Sequence, residues 1–133
     1  MSAKQILVVE DDPRVSAALA ARLRSAGYEV LAAPEPHVGA NLALFRQPDL
    51  IITDILMPTL DGLSFVRALK DMGFGDVPFI VMTASYQDGL WESAMELGAT
   101  AYFEKPFDGA KLLVAVDEAL KRMNPTSTDR SKR

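Results

Sequence analysis

A handful of polar residues stand where a fold could gather them into one reactive centre. Glu10-Asp11-Asp12 follows the apolar run Ile6-Leu7-Val8-Val9, Asp54 follows Leu50-Ile51-Ile52-Thr53, Thr83 follows Phe79-Ile80-Val81-Met82, and Lys105 comes shortly after Ala101-Tyr102-Phe103. Carboxylates brought close together repel one another and raise at least one pKa unless a cation neutralises them. The available ligands are oxygens: the chain has no cysteine, and its single histidine, His37, lies far from the acids in sequence. A hard divalent ion therefore suits the set better than zinc, and Mg2+, with Mn2+ as its substitute, suits it best because it keeps several waters and needs only one or two protein carboxylates. Lys105 adds a point charge on a flexible stem, and Thr83 adds a hydroxyl that can donate to a phosphate oxygen. The combination describes a phosphoryl pocket, provided the chain places all of it at one edge.

The elements that must do so are legible in the apolar pattern. Short β-branched-rich runs at Gln5–Glu10, Glu29–Ala33, Leu50–Asp54, Phe79–Met82 and Ala101–Phe103 alternate with helical patterns, which predicts a parallel sheet of βα units. Runs apolar on both faces fit strands covered by helices on each side. Asp12-Pro13 predicts a helix start, with Val15, Leu19, Leu23 and Ala26 on one face before Gly27. Val38, Leu42 and Phe45 mark the second helix, whose start is blurred by Pro34 and Pro36. Phe65, Val66 and Leu69 mark the third after Asp61-Gly62, Leu90, Ala94 and Leu97 the fourth before Gly98, and Leu112, Leu113, Val116 and Leu120 the fifth behind Asp108. These stripes are expected to form the core. In an open parallel α/β sheet, ligands sit beyond the carboxyl ends of the strands, and that is where the acids, Thr83 and Lys105 fall.

Composition narrows the classes. The chain has 133 residues, 49% hydrophobic and 24% charged, enough for one domain with its own core. No apolar run approaches the roughly 18 residues needed to cross a bilayer, and the N-terminus lacks the plan of a secretory signal, so a cytoplasmic protein is expected. Without cysteine, disulfides and thiolate chemistry are excluded. Residues 121–133 carry five Lys/Arg against one Asp, and residues 1–120 carry nine against seventeen Asp/Glu. The acidic body favours cations and repels nucleic acid phosphates, so no direct nucleic acid binding is expected. Residues 123–133 are polar and contain Pro125, and read as a disordered tail or a truncated linker.

Taken in order, Ile6-Leu-Val-Val-Glu-Asp-Asp-Pro13, Pro48-Asp-Leu-Ile-Ile-Thr-Asp54, Met57-Pro-Thr-Leu-Asp-Gly62, Met82-Thr-Ala84, Gly98-Ala99 and Tyr102-Phe-Glu-Lys-Pro-Phe107 resemble the receiver domain of two-component response regulators. The resemblance covers residues 4–122. It implies a single doubly wound, flavodoxin-like α/β domain, a five-stranded parallel sheet of order 2-1-3-4-5 with five helices. It further implies that Asp54 is the phosphoacceptor, taking a phosphoryl group from a phosphohistidine on a sensor histidine kinase or phosphotransfer protein. Asp11 would bind the metal directly and Glu10 through a water, with Asp54 and the Leu56 backbone carbonyl completing the protein ligands. Asp12 is left over, as a helix cap. Lys105 would balance phosphoryl charge, Thr83 and the Ala84 N–H would bind phosphoryl oxygens, and Tyr102 would turn inward as Thr83 moves. Lys105-Pro106 matches the family's cis peptide. The output would be a downstream protein, an output domain not contained in this chain, or a phosphorylation-dependent homodimer. Such a domain is a switch that catalyses only its own phosphoryl transfer and dephosphorylation.

Several readings stay open at this stage. Trp91 and Met95, four apart on the fourth helix, fit either an output surface or a cover for the edge of the core. His37 reads as an exposed residue near a helix start. Leu56 and Ser85, flanking the pocket, offer no carboxamide or carboxylate to orient an attacking water, which predicts slow spontaneous dephosphorylation. The main alternative is a pseudo-receiver, a protein-interaction module indifferent to phosphorylation. A hydrolase of the haloacid dehalogenase type needs a second acid two residues after its nucleophile, where this chain has Leu56. A flavodoxin-like nucleotide binder needs a Gly- or Ser-rich phosphate cradle where this chain has Glu10-Asp11-Asp12.

Overall fold

The computed structural model describes residues 3–57, 60–84 and 88–130, with side chains through residue 122. In chain order the elements are β1 (Gln5–Val9), α1 (Pro13–Ser25), β2 (Glu29–Ala33), α2 (Pro36–Arg46), β3 (Leu50–Asp54), α3 (Gly62–Leu69), β4 (Phe79–Thr83), α4 (Leu90–Leu97), β5 (Ala101–Glu104) and α5 (Gly109–Arg130). A wide π turn, Lys70–Phe74, follows α3 and carries Gly73 at φ 105°, a left-handed conformation that glycine adopts without steric penalty. The strands form one parallel sheet in the order β2-β1-β3-β4-β5, with Val8 opposite Ile52 and Thr53 opposite Val81.

Alternation along each strand divides the core in two. Leu7, Val9, Ile51, Phe79 and Val81 pack with residues of α2, α3 and α4, whereas Ile6, Val8, Leu50, Ile52, Ile80 and Met82 pack with Leu19 and Leu23 of α1 and with Leu112, Val116, Ala119 and Leu120 of α5. Burying one such Ile, Leu or Phe contributes about 2 kcal/mol. This two-sided burial, with helices on both faces, is the doubly wound architecture that the apolar strand runs imply.

Element ends differ slightly from the sequence expectation. β1 stops at Val9 instead of Glu10, while β4 and β5 each extend one residue further, to Thr83 and Glu104. Helix α1 is capped as expected: Asp12 Oδ1 accepts from the Arg14 N–H at 2.9 Å and Pro13 opens the helix. Ala26 is an exposed C-cap outside the buried stripe, which is Leu19, Ala20 and Leu23.

The second helix is rotated relative to the expected stripe. Pro36 is its first residue, and its buried face is Pro36, Gly39 and Ala43. Val38 and Leu42 are only partly buried, and Phe45, expected in the core, is 87% exposed. The cause is steric: a Cβ on Gly39 would lie 2.9 Å from the Val9 side chain and 3.1 Å from the Phe65 ring. The helix backbone seats directly on the sheet, and the small residues must face in.

The backbone of the fifth helix runs from Gly109 to Arg130. A helix nucleated on a buried face propagates cheaply, one hydrogen bond per residue fixed, and the Asp117–Lys121 ion pair at 3.0 Å supports the turn leading out of the core.

Candidate functional site

Asp54 is the last residue of β3, opposite Met82 of β4, and only 4% exposed. Its backbone is fixed from three directions. The Thr53 hydroxyl donates to the Asp54 carbonyl at 2.9 Å, the Ile55 N–H donates to the Met82 carbonyl at 3.1 Å, and the Gly62 N–H donates to the Ile55 carbonyl at 2.7 Å. Gly62, the first residue of α3, presses so closely that a Cβ there would stand 1.9 Å from the Asp54 carbonyl oxygen. Asp61 caps this helix, its Oδ1 accepting from the Ser64 N–H at 2.9 Å.

The carboxylate of Asp54 uses both oxygens. Oδ1 accepts from the Leu56 N–H at 3.2 Å, and Oδ2 accepts from the Lys105 ammonium at 2.7 Å. Glu10, the first residue after β1 and 1% exposed, is arranged in the same way. Its Oε2 accepts from the Asp12 N–H at 2.9 Å, and its Oε1 forms an ion pair with the same ammonium at 2.5 Å. Burial raises the Glu10 pKa above 4.5; Lys105 and the Asp12 N–H pull it back in part, and the Asp54 charge adds to the rise. Burial acts to lower the Lys105 pKa, but hydrogen bonding to Asp54 and Glu10 outweighs it, and the ammonium is held above its ordinary 10.5.

Glu10, Asp11 and Asp54 each offer a carboxylate oxygen within 4.8 Å of the others. Asp11 faces solvent, while Asp12 points away to cap α1. The donor set is all oxygen, and an ammonium already rests between two of its members, so the position is shaped for positive charge and the residues fit a hard divalent cation. Leu56 belongs to the same turn, with its side chain half exposed.

Thr83 is fully buried at the end of β4, one residue past the partner of Asp54. Its carbonyl accepts from the Lys105 N–H at 2.8 Å, so the chain leaving β5 is joined to β4 at this edge. Ala84 follows it, exposed, and Ser85 lies outside the described residues. The Lys105-Pro106 peptide is cis. Tyr102 is not beside Asp54; it lies opposite Val81, partly buried against the α2–α3–α4 layer. Burial raises the pKa of its hydroxyl, reinforced by Glu104 and Glu92. Trp91 and Met95 stand on α4 with 55% and 38% of their surface exposed. His37 pairs with Glu35 at 2.5 Å at the start of α2, apart from the cluster.

Three features were not anticipated from sequence. Gly62 reads there as a helix start, and nothing announces its contact with the Asp54 backbone. The simultaneous hold of Lys105 on Glu10 and Asp54 is invisible in a linear pattern. Beside the site, a largely apolar cleft of about 530 Å³ runs between α1 and the segment after β5, lined by Asp12, Arg14, Val15, Ala18, Lys105, Pro106 and Phe107.

Comparison with known proteins gives consistent matches. Residues 6–117 fit the family model described as the response regulator receiver domain. The chain is 38% identical over 131 residues to the transcriptional regulatory protein PrrA of Mycobacterium bovis, an alignment covering 98% of this chain and 56% of that protein. It is 32% identical over 130 residues to the phosphate regulon transcriptional regulatory protein PhoB of Pseudomonas aeruginosa, covering 97% and 57%. Among solved structures, a CheY-like response regulator receiver domain protein from Methanospirillum hungatei superposes with a TM-score of 0.86 at 26% identity, covering 93% of this chain and 98% of that one. The chain thus spans little more than half the length of the two curated relatives. Among the described residues, no helix is long and apolar enough to cross a membrane.

Proposed function

The chain belongs to the response regulator receiver domain family, and from that premise we propose that it is a phosphorylation switch centred on Asp54. The observation that carries the reading is the placement of a buried strand-end carboxylate within hydrogen-bonding distance of Lys105 and within a cluster shared with Glu10 and Asp11. An Asp54 oxygen attacks the phosphorus of a phosphohistidine on a sensor kinase or phosphotransfer protein. The new O–P bond forms as the P–N bond breaks, and the electron pair leaves with the imidazole, which takes up a proton. Phosphoryl transfer of this kind depends on positioning and charge neutralisation more than on covalent help. The backbone bonds around Asp54 supply the positioning.

Asp11 and Asp54, with Glu10 through a water and the Leu56 carbonyl, would hold Mg2+ or Mn2+, which when bound neutralises the acids and the incoming phosphoryl oxygens. Lys105 adds its ammonium to the same charge balance. Thr83 and the Ala84 N–H take phosphoryl oxygens, and Tyr102, on the neighbouring strand, follows the vacated space. A phosphoryl group adds roughly −1.5 to −2 of charge, enough to bias a two-state loop. The remodelled face includes α4 with Trp91 and Met95. It is read by a downstream protein, by an output domain beyond this chain, or by a second phosphorylated copy, in the cytoplasm. Retention of the acid cluster and of Lys105 disfavours a pseudo-receiver that ignores phosphate.

Incubation with Mg2+ and acetyl phosphate tests the reading by intact-mass spectrometry. A phosphoryl mass shift in the wild type that disappears in Asp54→Asn is expected. A wild type that gains no mass, or an Asp54→Asn variant that still gains it, overturns the assignment.

A further inference from the structure

Helix α4 is held unequally at its two ends. At its C-terminal end Gly98, left-handed at φ 101°, donates its N–H to the Ala94 and Met95 carbonyls, and the Ala99 N–H donates to the Ala94 carbonyl at 3.0 Å. Thr100 ties this end to the sheet: its N–H and its hydroxyl both donate to the Phe79 carbonyl, at 2.9 and 3.1 Å. At the other end Gly89 supplies no side-chain cap, and between the two only Ala94 is buried. Lys70 stands at the anchored end. Its ammonium lies 5.6 Å from the centre of the buried Phe79 ring, and a Cβ on Gly98 would stand 3.9 Å from it. Lys70 is half-buried, and among the described residues no carboxylate pairs with it. Its charge is met instead by an aromatic face, which attracts a cation, and by the negative end of a helix. We propose that α4 is a lever hinged at Gly98, with Lys70 as the pin that holds the hinge end against Phe79. The proposal rests on the phosphorylation reading above and adds the pivot: phosphorylation swings the Trp91 end of α4 while the Gly98 end stays on the sheet. Element-terminal residues absorb the dihedral change in hinge motions, and glycine does so without a Cβ to clash.

The alternatives are that α4 shifts as a whole, or that Lys70 contributes stability and nothing more. The chain has no cysteine, so pairs of spin labels can be placed at chosen positions. One label goes on α4, at Glu92→Cys or Glu96→Cys, and the other on Ala21→Cys of α1 or Asn41→Cys of α2, all of them exposed positions. Double electron–electron resonance reads each pair before and after Mg2+ and acetyl phosphate, with phosphoryl occupancy checked by intact mass. At 1.5 Å per residue, Glu92 lies about 9 Å along the helix from Gly98 and Glu96 about 3 Å. A hinge at Gly98 therefore predicts a shift about three times as large at Glu92 as at Glu96. Equal shifts at the two positions, a larger one at Glu96, or no shift at either in the phosphorylated protein overturns the proposal.

The pin is tested by repeating the measurement in Lys70→Met, which keeps the stem and removes the charge. The shift at Glu96 is expected to rise to match that at Glu92, and Lys70→Arg is expected to restore the original ratio. A purely structural lysine would lower the unfolding midpoint and leave the ratio unchanged, which overturns the pin. Lys70→Gln repeats the test should Lys70→Met fail to fold, and the hinge itself is decided without any change at Lys70. Gain of phosphoryl mass with equal shifts removes the lever alone, whereas a chain that takes up no phosphoryl group removes the phosphorylation reading and the lever with it.

Discussion

The α-carbon of Gly62 faces the Asp54 carbonyl so closely that a methyl group would come within 1.9 Å of that oxygen. The Gly62 φ is not in the left-handed region; glycine is required here for space, because the first turn of α3 rests on the peptide that carries the reactive carboxylate. Gly62→Ala must therefore push α3 and the end of β3 apart. Loss of about 3 kcal/mol of stability, read from the urea midpoint, and a slowed gain of phosphoryl mass are expected together. A variant with normal stability and normal phosphorylation would show that the contact relaxes freely.

Lys105 and Glu10 both have raised pKa values, so both contributions to stability are lost as pH rises, each in its own window. Lys105 is held above 10.5 because its bonds to Asp54 and Glu10 outweigh burial, so its contribution to stability is complete below pH 10.5 and is lost as pH rises through its folded value. The stability gap between wild type and Lys105→Met should accordingly narrow in alkali. Glu10 is raised above 4.5, mainly by burial, so its contribution is complete below pH 4.5 and declines as pH climbs through the folded value. Glu10→Gln should gain on the wild type over that acid window, and denaturation curves from pH 4 upward would reveal a flat difference if burial did not control this group.

Dephosphorylation should be slow in the wild type, because Leu56 presents a half-exposed aliphatic side chain beside Asp54 where a water would need orienting. Leu56→Asn is expected to shorten the phosphorylated lifetime about tenfold. Decay of the phosphoryl mass after removal of acetyl phosphate measures this, and an equally short lifetime in wild type and variant would count against it.

The exposed Trp91 offers a direct test of the output face. Trp91→Ala is expected to weaken phosphorylation-dependent homodimerisation or partner binding about tenfold, with little change in unfolding. Unchanged association of the phosphorylated protein in analytical ultracentrifugation and in partner titrations would assign Trp91 to covering the core edge alone.

On α2, Phe45→Ser should alter stability by less than about 0.5 kcal/mol, since the ring is 87% exposed. Gly39→Val, in contrast, meets Val9 and Phe65 and should cost about 3 kcal/mol. Thermal denaturation of the two variants distinguishes this face from the one that hydrophobicity alone suggests.

That contrast shows why some of the structure was readable and some was not. The strands, their order by resemblance, and the convergence of Glu10, Asp11, Asp54, Thr83 and Lys105 on one edge follow from βα alternation and from polar residues placed at strand ends. Helix α2 misleads because its apolar residues are not its core residues: two small side chains, Gly39 and Ala43, take the inner face, and Leu44 and Phe45 are left outside. Lys105 was expected to await a phosphate. Its hold on Glu10 and Asp54 depends on side-chain reach across 51 residues of sequence from Asp54, which no local pattern encodes.

The hydrogen bond from the Lys105 N–H to the Thr83 carbonyl gives this lysine a fixed post at its main chain and a loose end at its ammonium. Its four-carbon stem works as a leash: the head can change partners by torsional rotation alone, on the fast timescale of side chains, without unzipping β4 from β5. The post itself stands one residue past Met82, the partner of Asp54 in the next strand, so a tug on Thr83 shifts the origin from which the leash is measured. Threonine and lysine at this edge are thus joined by a single main-chain hydrogen bond.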